Sequence, residues 1–501
     1  MKVHLAGFNV DTQILRELQE KAGARQDITP EVISAAYARI SRDPRPINEI
    51  RAQARQEVEK TRKSNTTIIF KMGHHSVAEH AVFNLDVIGV SRLAMEELEK
   101  FRLCSYTEKS QRYITLDKDY VIPREIAGTR FEGLFCDMVR QQSEAYRLLF
   151  EKLKDHTFVK HADLAADPKK HNLLEGWAKE DARYITSLAT ESQTGLTVNA
   201  RNLELMLRRF ASSSIAEVNE LGRALYEQIA TVAPSIVIFH QANERDRKTY
   251  SQIAQVMHNV FKTKQQKEIS SPVTLVEYTR DADSIIVAAL LHATSDRAFP
   301  ECLAAARKFS KKEKMSVLKA SWKNMQLYDS MLREFEYAHC TFNVVLSSAC
   351  FGQLKRHRMA TLTTQSYNPA LGVTIPAAVR EIGKEKFFRE IITKTNDVYT
   401  AIAKEIPLAA PYVLTNAHRR RVLVRVNIRE LYHMSRLRLD AHAQWDIQNV
   451  TRDMVAAAKK VMPLATLLAC GKDRYVTTYK NVFGHAPNVT EIALPGARVI
   501  A

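Results

Sequence analysis

The stretch LKRHRMATLTTQSYN, residues 354–368, sets three nitrogen-rich side chains side by side, Arg356, His357 and Arg358. A run of threonine and serine residues follows, whose hydroxyl groups could donate hydrogen bonds to a phosphate. Pro369 comes next, and no further cation follows closely. The stretch therefore resembles one half of a nucleotide site.

A second stretch, LEKFRLCSYTEKSQRY at residues 98–113, has the opposite bias. Its first half is weak, with Lys100 and Phe101 where the other stretch has arginine and histidine. Its second half is rich in polar groups: Glu108, Ser110, Arg112 and Tyr113. The two stretches align without gaps, and further segments match in the same order along both halves. This order indicates a tandem duplication and predicts two similar domains rather than a solenoid.

Composition narrows the class of protein. The 501 residues, 45% of them hydrophobic, are enough for two domains with a core each. The net charge of +17 fits an ordinary basic surface, a nucleic-acid partner or anionic small substrates. The basic run HRRR at 418–421 is interpreted as solvated. The N-terminus has no signal-peptide pattern, no apolar run reaches the roughly 18 residues that cross a bilayer, and no nucleic-acid motif is recognised. We therefore expect a cytoplasmic protein with no membrane or nucleic-acid partner.

The expected fold class is α+β, with two similar helix-rich domains, each a small mixed or antiparallel sheet packed with long helices. Helical spacing of apolar residues recurs, for example at 216–233 and 449–462. Short β-branched runs predict strands, at 66–70, 120–123, 273–279 and 421–428. The predicted division is a domain at 1–245, a polar linker at 246–271 and a domain at 272–501.

Histidines and a glutamate crowd the segment MGHHSVAEH, residues 72–80. The spacing from His75 is HxxxEH, one residue longer than the zinc signature HxxEH, so no metal is expected. A helix N-terminus is the preferred local interpretation, because Ser76 can cap a helix and Glu79 follows in capping-box spacing.

Two Arg–His pairs at i,i+4 spacing, Arg429–His433 and Arg438–His442, lie within residues 426–447. At 3.6 residues per turn, the second pair falls on nearly the opposite side of a helix from the first. A straight helix cannot aim all four side chains at one point. Either the helix bends or it serves two ligands. Taken alone, the segment would be interpreted as a helix with solvated cations on two faces.

The pattern R-H-R-x-x-S-x-N-x-x-S-x-R-Y resembles the signature of the flavin-dependent thymidylate synthases. The flanking pieces are similar too: GHHSVAEHAVFNLDVIGVSR looks like the family's GHxSxxEH segment and its following SR, and NIRELYHMSRLRLDAHAQWDI looks like its NxRxL…HAQWEI helix. Each half of the chain resembles this family along most of its length. Several motifs in the same order, twice, make the resemblance specific.

The resemblance implies a reaction, in which uracil C5 of dUMP is methylated to give dTMP. Methylenetetrahydrofolate would supply the carbon, and FAD reduced by NADPH would supply the hydride. The family's usual enzyme is a homotetramer whose active sites are assembled from several subunits. A chain with two copies is therefore expected to form a homodimer that imitates this tetramer. Its basic charge would suit ligands that are all anionic.

The family's site residues carry over one position at a time. The resemblance implies FAD contacts at Ser76, Arg356, His357, Arg358, Asn427, Arg429, His433 and His442. It implies dUMP contacts at Glu108, Ser110, Gln111, Arg112, Arg183, Gln353, Arg356 and Arg438. The implied catalytic residues are Arg438, which would activate the uracil ring, together with His74 and Ser110. For Ser110 we prefer a hydrogen-bonding role over a nucleophilic one, because the sequence pairs no base with it.

The losses in the two copies are largely complementary. Only the C-terminal copy keeps the FAD motif and the ring-activating arginine, whose N-terminal counterpart is Phe210. Only the N-terminal copy keeps the dUMP stretch and Arg183, whose counterpart is Pro411. One composite site is expected to work, and the other, with Lys100 and Phe101, to be dead. The alternatives are a non-catalytic relative that binds nucleotide or flavin, and a nucleic-acid-binding protein.

Overall fold

The computed structural model of the chain describes residues 1–9, 14, 17, 29–39, 43–45, 47–71, 73–111, 119–261 and 271–488. The chain forms two compact units, which we call unit 1 (Met1–Lys267 with Ile375–Asn416) and unit 2 (Glu268–Thr374 with Ala417–Ala501). Unit 1 therefore includes a segment of the second repeat. The repeats are defined by sequence similarity, whereas the units are defined by which residues pack together. The domain boundaries given above therefore stay a prediction.

Each unit contains a four-stranded antiparallel sheet among its described residues. Unit 1 has the order β1-β2-β4-β3, from β1 (Lys2–Phe8), β2 (Val82–Ser91), β3 (Cys104–Glu108) and β4 (Glu191–Asn199). Unit 2 has the order β5-β6-β8-β7, from β5 (Val273–Tyr278), β6 (His339–Ser347), β7 (Thr361–Thr364) and β8 (Arg419–Asn427). The two sheets have the same topology, and the α+β class with two similar helix-rich halves is confirmed.

Helices surround the sheet of unit 1. Among the described residues they are Glu31–Arg39, Ile47–Gln56, Val58–Thr66, Arg92–Leu98, Glu132–Lys160, Ala162–Ala165, His171–Ala182, Ala200–Ala211, Ala216–Ala230, Glu244–Val260, Ala377–Glu381 and Glu385–Ala403. The buried Gln142 Nε2 on the longest helix donates to Thr395 Oγ1 at 2.9 Å and to the Val413 carbonyl at 2.8 Å. These bonds fasten Thr395 and Val413 of the second repeat to the long helix Glu132–Lys160 of the first.

A local two-fold relation links equivalent segments of the two repeats inside unit 1. The Leu188 N–H donates to the Leu414 carbonyl at 2.7 Å, and the Asn416 N–H donates to the Thr186 carbonyl at 2.9 Å. Leu188 and Asn416 are equivalent positions in the two repeats, as are Thr186 and Leu414. Each bond is therefore the counterpart of the other, as expected of a duplicated chain that pairs with itself.

The helices of unit 2 pack on its sheet. They are Ala282–Ala293, Phe299–Lys308, Lys311–Trp322, Ser348–Leu354, Ile428–Arg438, Trp445–Val461 and Tyr475–Phe483. Asn427, the last residue of β8, accepts the Glu430 N–H with its side chain at 2.8 Å and so starts the helix that follows. Leu431, Tyr432 and Met434 of that helix are buried in the core. No helix that the structure describes has both the length and the apolar character needed to cross a membrane.

Two of the four predicted strands are confirmed, at 273–279 and 421–428, and two are wrong. Residues 66–70 continue the helix Val58–Thr66 as a π-helical turn, Thr67–Lys71. The hydroxyls of Thr66 and Thr67 bond to carbonyls four residues earlier, which satisfies these β-branched residues within a helix. At 120–123 only Tyr120 forms an isolated bridge, since Pro123 has no N–H with which to extend a strand.

The basic run at 418–421 is not solvated throughout, contrary to the interpretation from sequence. His418 is fully buried and Arg420 is 6% exposed. Alternate residues of a strand point to the same face, so β8 turns Arg420 inward, and His418 is buried immediately before the strand begins. The Arg420 guanidinium lies between the rings of Phe351 and Tyr367, at 4.9 and 4.4 Å from their centroids.

Candidate functional site

Arg438, the last residue of the helix Ile428–Arg438, is held at three of its nitrogens in unit 2. Its Nε donates to His357 Nε2 at 2.9 Å. Its Nη1 and Nη2 donate to the side-chain and backbone oxygens of Gln353, at 3.0 and 3.1 Å. These bonds fix the plane of the guanidinium, which is the part of arginine that recognises a flat polar ring edge.

His357 connects Arg438 to a buried acid. The ring is 2% exposed, and its Nδ1 lies 3.1 Å from Glu430 Oε1. Burial, reinforced by the nearby Arg438 charge, lowers the pKa of His357 well below its usual value, so the ring is neutral. A neutral ring that accepts from Arg438 at Nε2 carries its proton on Nδ1 and donates it to Glu430. Burial raises the pKa of Glu430.

A pocket of about 660 Å³ opens beside this chain of polar groups. It is lined by Gln326, Leu327, Tyr328, Asp329, Ser330, Met331, Glu336, Met359, Asn427, Arg429, Glu430, Tyr432, His433, Arg436, Leu437, Lys472, Tyr475 and Val476. Apolar walls with a few polar groups, at roughly 300–1,000 Å³, are typical of small-molecule sites. Three residues assigned to FAD by resemblance, Asn427, Arg429 and His433, share this pocket. Arg429 is oriented there by Glu336 at 2.8 Å and by the Met331 carbonyl at 2.7 Å.

Arg438 and His442 do not lie on one helix, because the helix ends at Arg438. The segment is therefore neither a bent helix nor a single helix that serves two ligands. Asp440 accepts the backbone N–H and contacts the ring Nδ1 of His442, at 3.0 and 2.9 Å. Gln444 then caps a new helix from Trp445. Side-chain bonds to the backbone compete here with helix continuation. His442 is left exposed, as are Arg356 and Arg358 of the opening stretch.

The N-terminal stretch lies at the end of β3 in unit 1. Glu108 and Ser110 line a cavity of about 450 Å³ with residues of β2 and β4. The Glu108 carboxylate lies 3.1 Å from Arg92 Nη1, and Arg92 also lies 3.8 Å from Glu96. All three side chains are buried, so Glu108 is held by a charge-assisted bond. Sequence reasoning did not assign Arg92 to the site.

Gln111 and Arg183 are brought together in unit 1 by a residue that sequence reasoning missed. The Asn416 Nδ2 donates to Gln111 Oε1 and to the Arg183 carbonyl, both at 3.1 Å, and lies 2.9 Å from Thr186 Oγ1. Asn416 belongs to the second repeat. The equivalent position of the first repeat is Leu188. A residue-by-residue comparison of the first repeat with the family motifs could therefore not identify Asn416. Arg112 lies outside the described residues.

His74 and Ser76 are exposed at the start of a short 3-10 helix, His75–His80. The predicted capping box is wrong, because no side chain caps this helix and Ser76 lies within it. Gly73 makes the entry turn with φ of +78°, a backbone region that favours glycine. Glu79 is paired with Arg201 instead.

The described residues contain one group with metal-ligand proximity, His357, Glu430 and His433. Both ring nitrogens of His357 already face partners, Glu430 and Arg438. The guanidinium at 2.9 Å from Nε2 would repel a divalent cation. The arrangement therefore fits a hydrogen-bonded chain better than a metal centre.

The first repeat lacks this polar arrangement at the equivalent positions. Phe101 and Phe210 occupy the positions of His357 and Arg438, and their rings meet edge to face with centroids 5.7 Å apart. Both pack on the core cluster of the first repeat. An apolar pair thus stands where the second repeat has a cation and an imidazole.

Comparison with known proteins places the chain among its relatives. The family model described as thymidylate synthase complementing protein matches residues 26–235 and again residues 274–464. A UPF0159 protein of Chlamydia muridarum is 24% identical over 413 residues, 79% of this chain and 77% of that protein. A flavin-dependent thymidylate synthase of Clostridium tetani is 29% identical over 210 residues, 41% of this chain and 80% of that protein.

Among solved structures, a flavin-dependent thymidylate synthase from Helicobacter pylori, described as complexed with FAD and dUMP, has 18% sequence identity and a TM-score of 0.29. The match covers 48% of this chain and 100% of that one. The family model, by contrast, matches most of the chain in two consecutive copies, which confirms the duplication inferred from sequence. The chain belongs to the thymidylate synthase complementing protein family, as a tandem pair of family domains.

Proposed function

We propose that the chain catalyses reductive methylation of dUMP to dTMP, with methylenetetrahydrofolate as carbon donor, FAD as cofactor and NADPH as reductant. Family membership supports the reaction class. The observation that carries the proposal is Arg438, whose guanidinium is fixed by His357 and Gln353 at the end of its helix.

The role of Arg438 follows from its chemistry. Methylation requires uracil C5 to act as a nucleophile, so negative charge develops on the ring. A preorganised guanidinium at the ring edge stabilises that charge without any change of its own protonation state. Such a group needs a fixed plane more than it needs mobility, and the bonds to Gln353 and His357 supply that plane.

The pocket of unit 2 has the size and mixed lining that a flavin requires. Asn427, Arg429 and His433 would hold FAD there. The chemistry that bound FAD supplies is hydride transfer, replenished by NADPH. Arg429 would contribute positive charge, and its bonds to Glu336 and Met331 keep it aimed along the pocket wall.

Substrate binding is assigned to polar groups of unit 1. Ser110 and Gln111 would donate to the nucleotide, and Arg183 would face its phosphate, with Arg112 as the second cation expected from the sequence. The composite use of both repeats, the homodimer, and the roles of His74 and Ser76 remain part of this proposal, as predictions from the resemblance.

The test is release of tritium from dUMP labelled at C5, because methylation must replace that hydrogen. The full chain is supplied with FAD, NADPH and methylenetetrahydrofolate, and dTMP is measured in parallel. We expect both products from wild type and neither when any one ligand is omitted. Tight binding of FAD and dUMP without tritium release would instead establish the non-catalytic relative.

A further inference from the structure

We propose that Glu430 and His357 are positioning residues, which together fix the plane of the Arg438 guanidinium. This inference deepens the proposed function and rests on it for the role of Arg438. Glu430 lies 3.1 Å from His357 Nδ1, and Arg438 Nε lies 2.9 Å from His357 Nε2. The three groups form one line from a buried carboxylate to the guanidinium.

Glu430 decides which nitrogen of the ring carries the proton. A neutral imidazole has one donor and one acceptor nitrogen. A carboxylate at Nδ1 favours the proton there, because it can only accept. Nε2 is then an acceptor and matches the N–H of Arg438. The opposite tautomer would set two donors against each other at 2.9 Å, which would push the guanidinium away.

Because Glu430 and His357 are buried, each polar group of this line depends on its partners. His357 is 2% exposed and Glu430 is 7% exposed. A buried polar group without its partner costs free energy, so loss of one member favours loss of the others. The first repeat agrees with this expectation, since Asn202, Phe101 and Phe210 occupy the positions of Glu430, His357 and Arg438.

The first test reads the tautomer directly and needs no activity. Nitrogen-15 spectra of the histidine-labelled full chain are recorded without ligands, and the His357 signal is assigned by its absence from H357Q. We expect a neutral ring protonated at Nδ1 in wild type and in E430Q, whose amide oxygen can still accept. In E430L we expect the Nε2–H form. Wild type with its proton on Nε2, or E430L without a change of tautomer, would overturn the inference.

The second test measures dTMP formation by the same proteins. Glutamine and leucine are similar in volume, so a packing role predicts that E430L does at least as well as E430Q. Positioning predicts the reverse order, with kcat reduced about 100-fold in E430L and much less in E430Q. D453N, an exposed carboxylate on the helix Trp445–Val461, is the matched control. Wild type without turnover would refute the proposed function, while the spectra would still decide the positioning.

If E430L fails to fold, H357Q and H357L replace it. The glutamine amide can accept from Arg438 and donate to Glu430, as the imidazole does, whereas leucine can do neither. We expect dTMP formation to be largely kept in H357Q and lost in H357L. Equal activity in the two variants would contradict the inference.

Discussion

Phe101 and Phe210 of the first repeat meet edge to face at 5.7 Å, where the second repeat joins His357 to Arg438 by a hydrogen bond of 2.9 Å. Such an aromatic pair contributes about 0.5–1.5 kcal/mol beyond its buried area. The two substitutions compensate each other, because either polar residue alone would be buried without a partner. The first repeat therefore has an apolar contact where the second has a hydrogen-bonded polar pair.

Replacing Arg438 by lysine should reduce turnover and leave the fold intact. Lysine keeps the charge but lacks the planar fork that Gln353 and His357 hold. We expect kcat to fall by about 100-fold, the size seen when one preorganised donor is removed. Steady-state dTMP formation measures the effect. Arg307→Lys, at an exposed arginine paired with Asp281, is the control. Equal kcat in the two variants would remove Arg438 from the reaction.

Restoring the cation in the first repeat should destabilise it. Phe210 is 3% exposed and packs among apolar side chains, so Phe210→Arg buries a charge without a partner. We expect a loss of at least about 3 kcal/mol in the free energy of unfolding. Urea titration measures it, against Phe261→Arg at a ring that is 69% exposed. A loss as small as that of the control would mean that this position is not a closed apolar core.

The neutrality of His357 predicts a pH dependence of stability. An unfolded histidine takes up a proton below about pH 6.5. Burial lowers the pKa of the folded His357 well below that value, so the unfolded chain binds more protons in this window. The contribution is fully present above the unfolded pKa and is lost as the pH falls, by up to about 1.4 kcal/mol per pH unit.

Unfolding by urea from pH 7.5 down to 5.5 checks this dependence. The stability difference between wild type and H357Q should shrink as the pH falls, and His258→Gln, at an exposed histidine, is the matched substitution for comparison. A difference that grows toward acid pH would mean that His357 is protonated in the fold.

Asn416→Leu should weaken dUMP binding. Leucine stands at the equivalent position of the first repeat, so the backbone accommodates it, but it cannot bond to Gln111 or to the Arg183 carbonyl. Loss of such bonds costs about 1–3 kcal/mol, and we expect the Kd for dUMP to rise at least about tenfold. Calorimetric titration measures it, with Asn449→Leu on the exposed face of a unit 2 helix as the control. An unchanged Kd would exclude Asn416 from dUMP binding.

The family, its duplication and the fold class could be predicted because they depend on ordered motifs and on hydrophobic spacing. Local structure was harder to predict from the sequence where side chains form hydrogen bonds to the backbone. Thr66 and Thr67 satisfy themselves within a helix, and Asp440 and Gln444 break one helix and start another. Neither the content of β-branched residues nor the helical periodicity of a sequence reveals hydrogen bonds between side chains and the backbone.

The partners of the site residues could not be read from the sequence. Glu430 follows an N-terminal cap and looks like an ordinary acidic residue of a first helical turn, yet its partner His357 is 73 residues away. Asn416 contacts Gln111 across 305 residues. Both contacts depend on tertiary packing, whereas the residues named by motif were identified by local pattern alone.

The ratio of FAD to chain tests whether only the second repeat binds flavin. The purified full chain is saturated with FAD, freed of excess and measured by absorbance against protein concentration. We predict about one FAD per chain, falling toward zero when Arg429 is replaced by alanine. About two FAD per chain would show that the first repeat also binds flavin despite Phe101 and Phe210, and would rule out a single flavin site per chain.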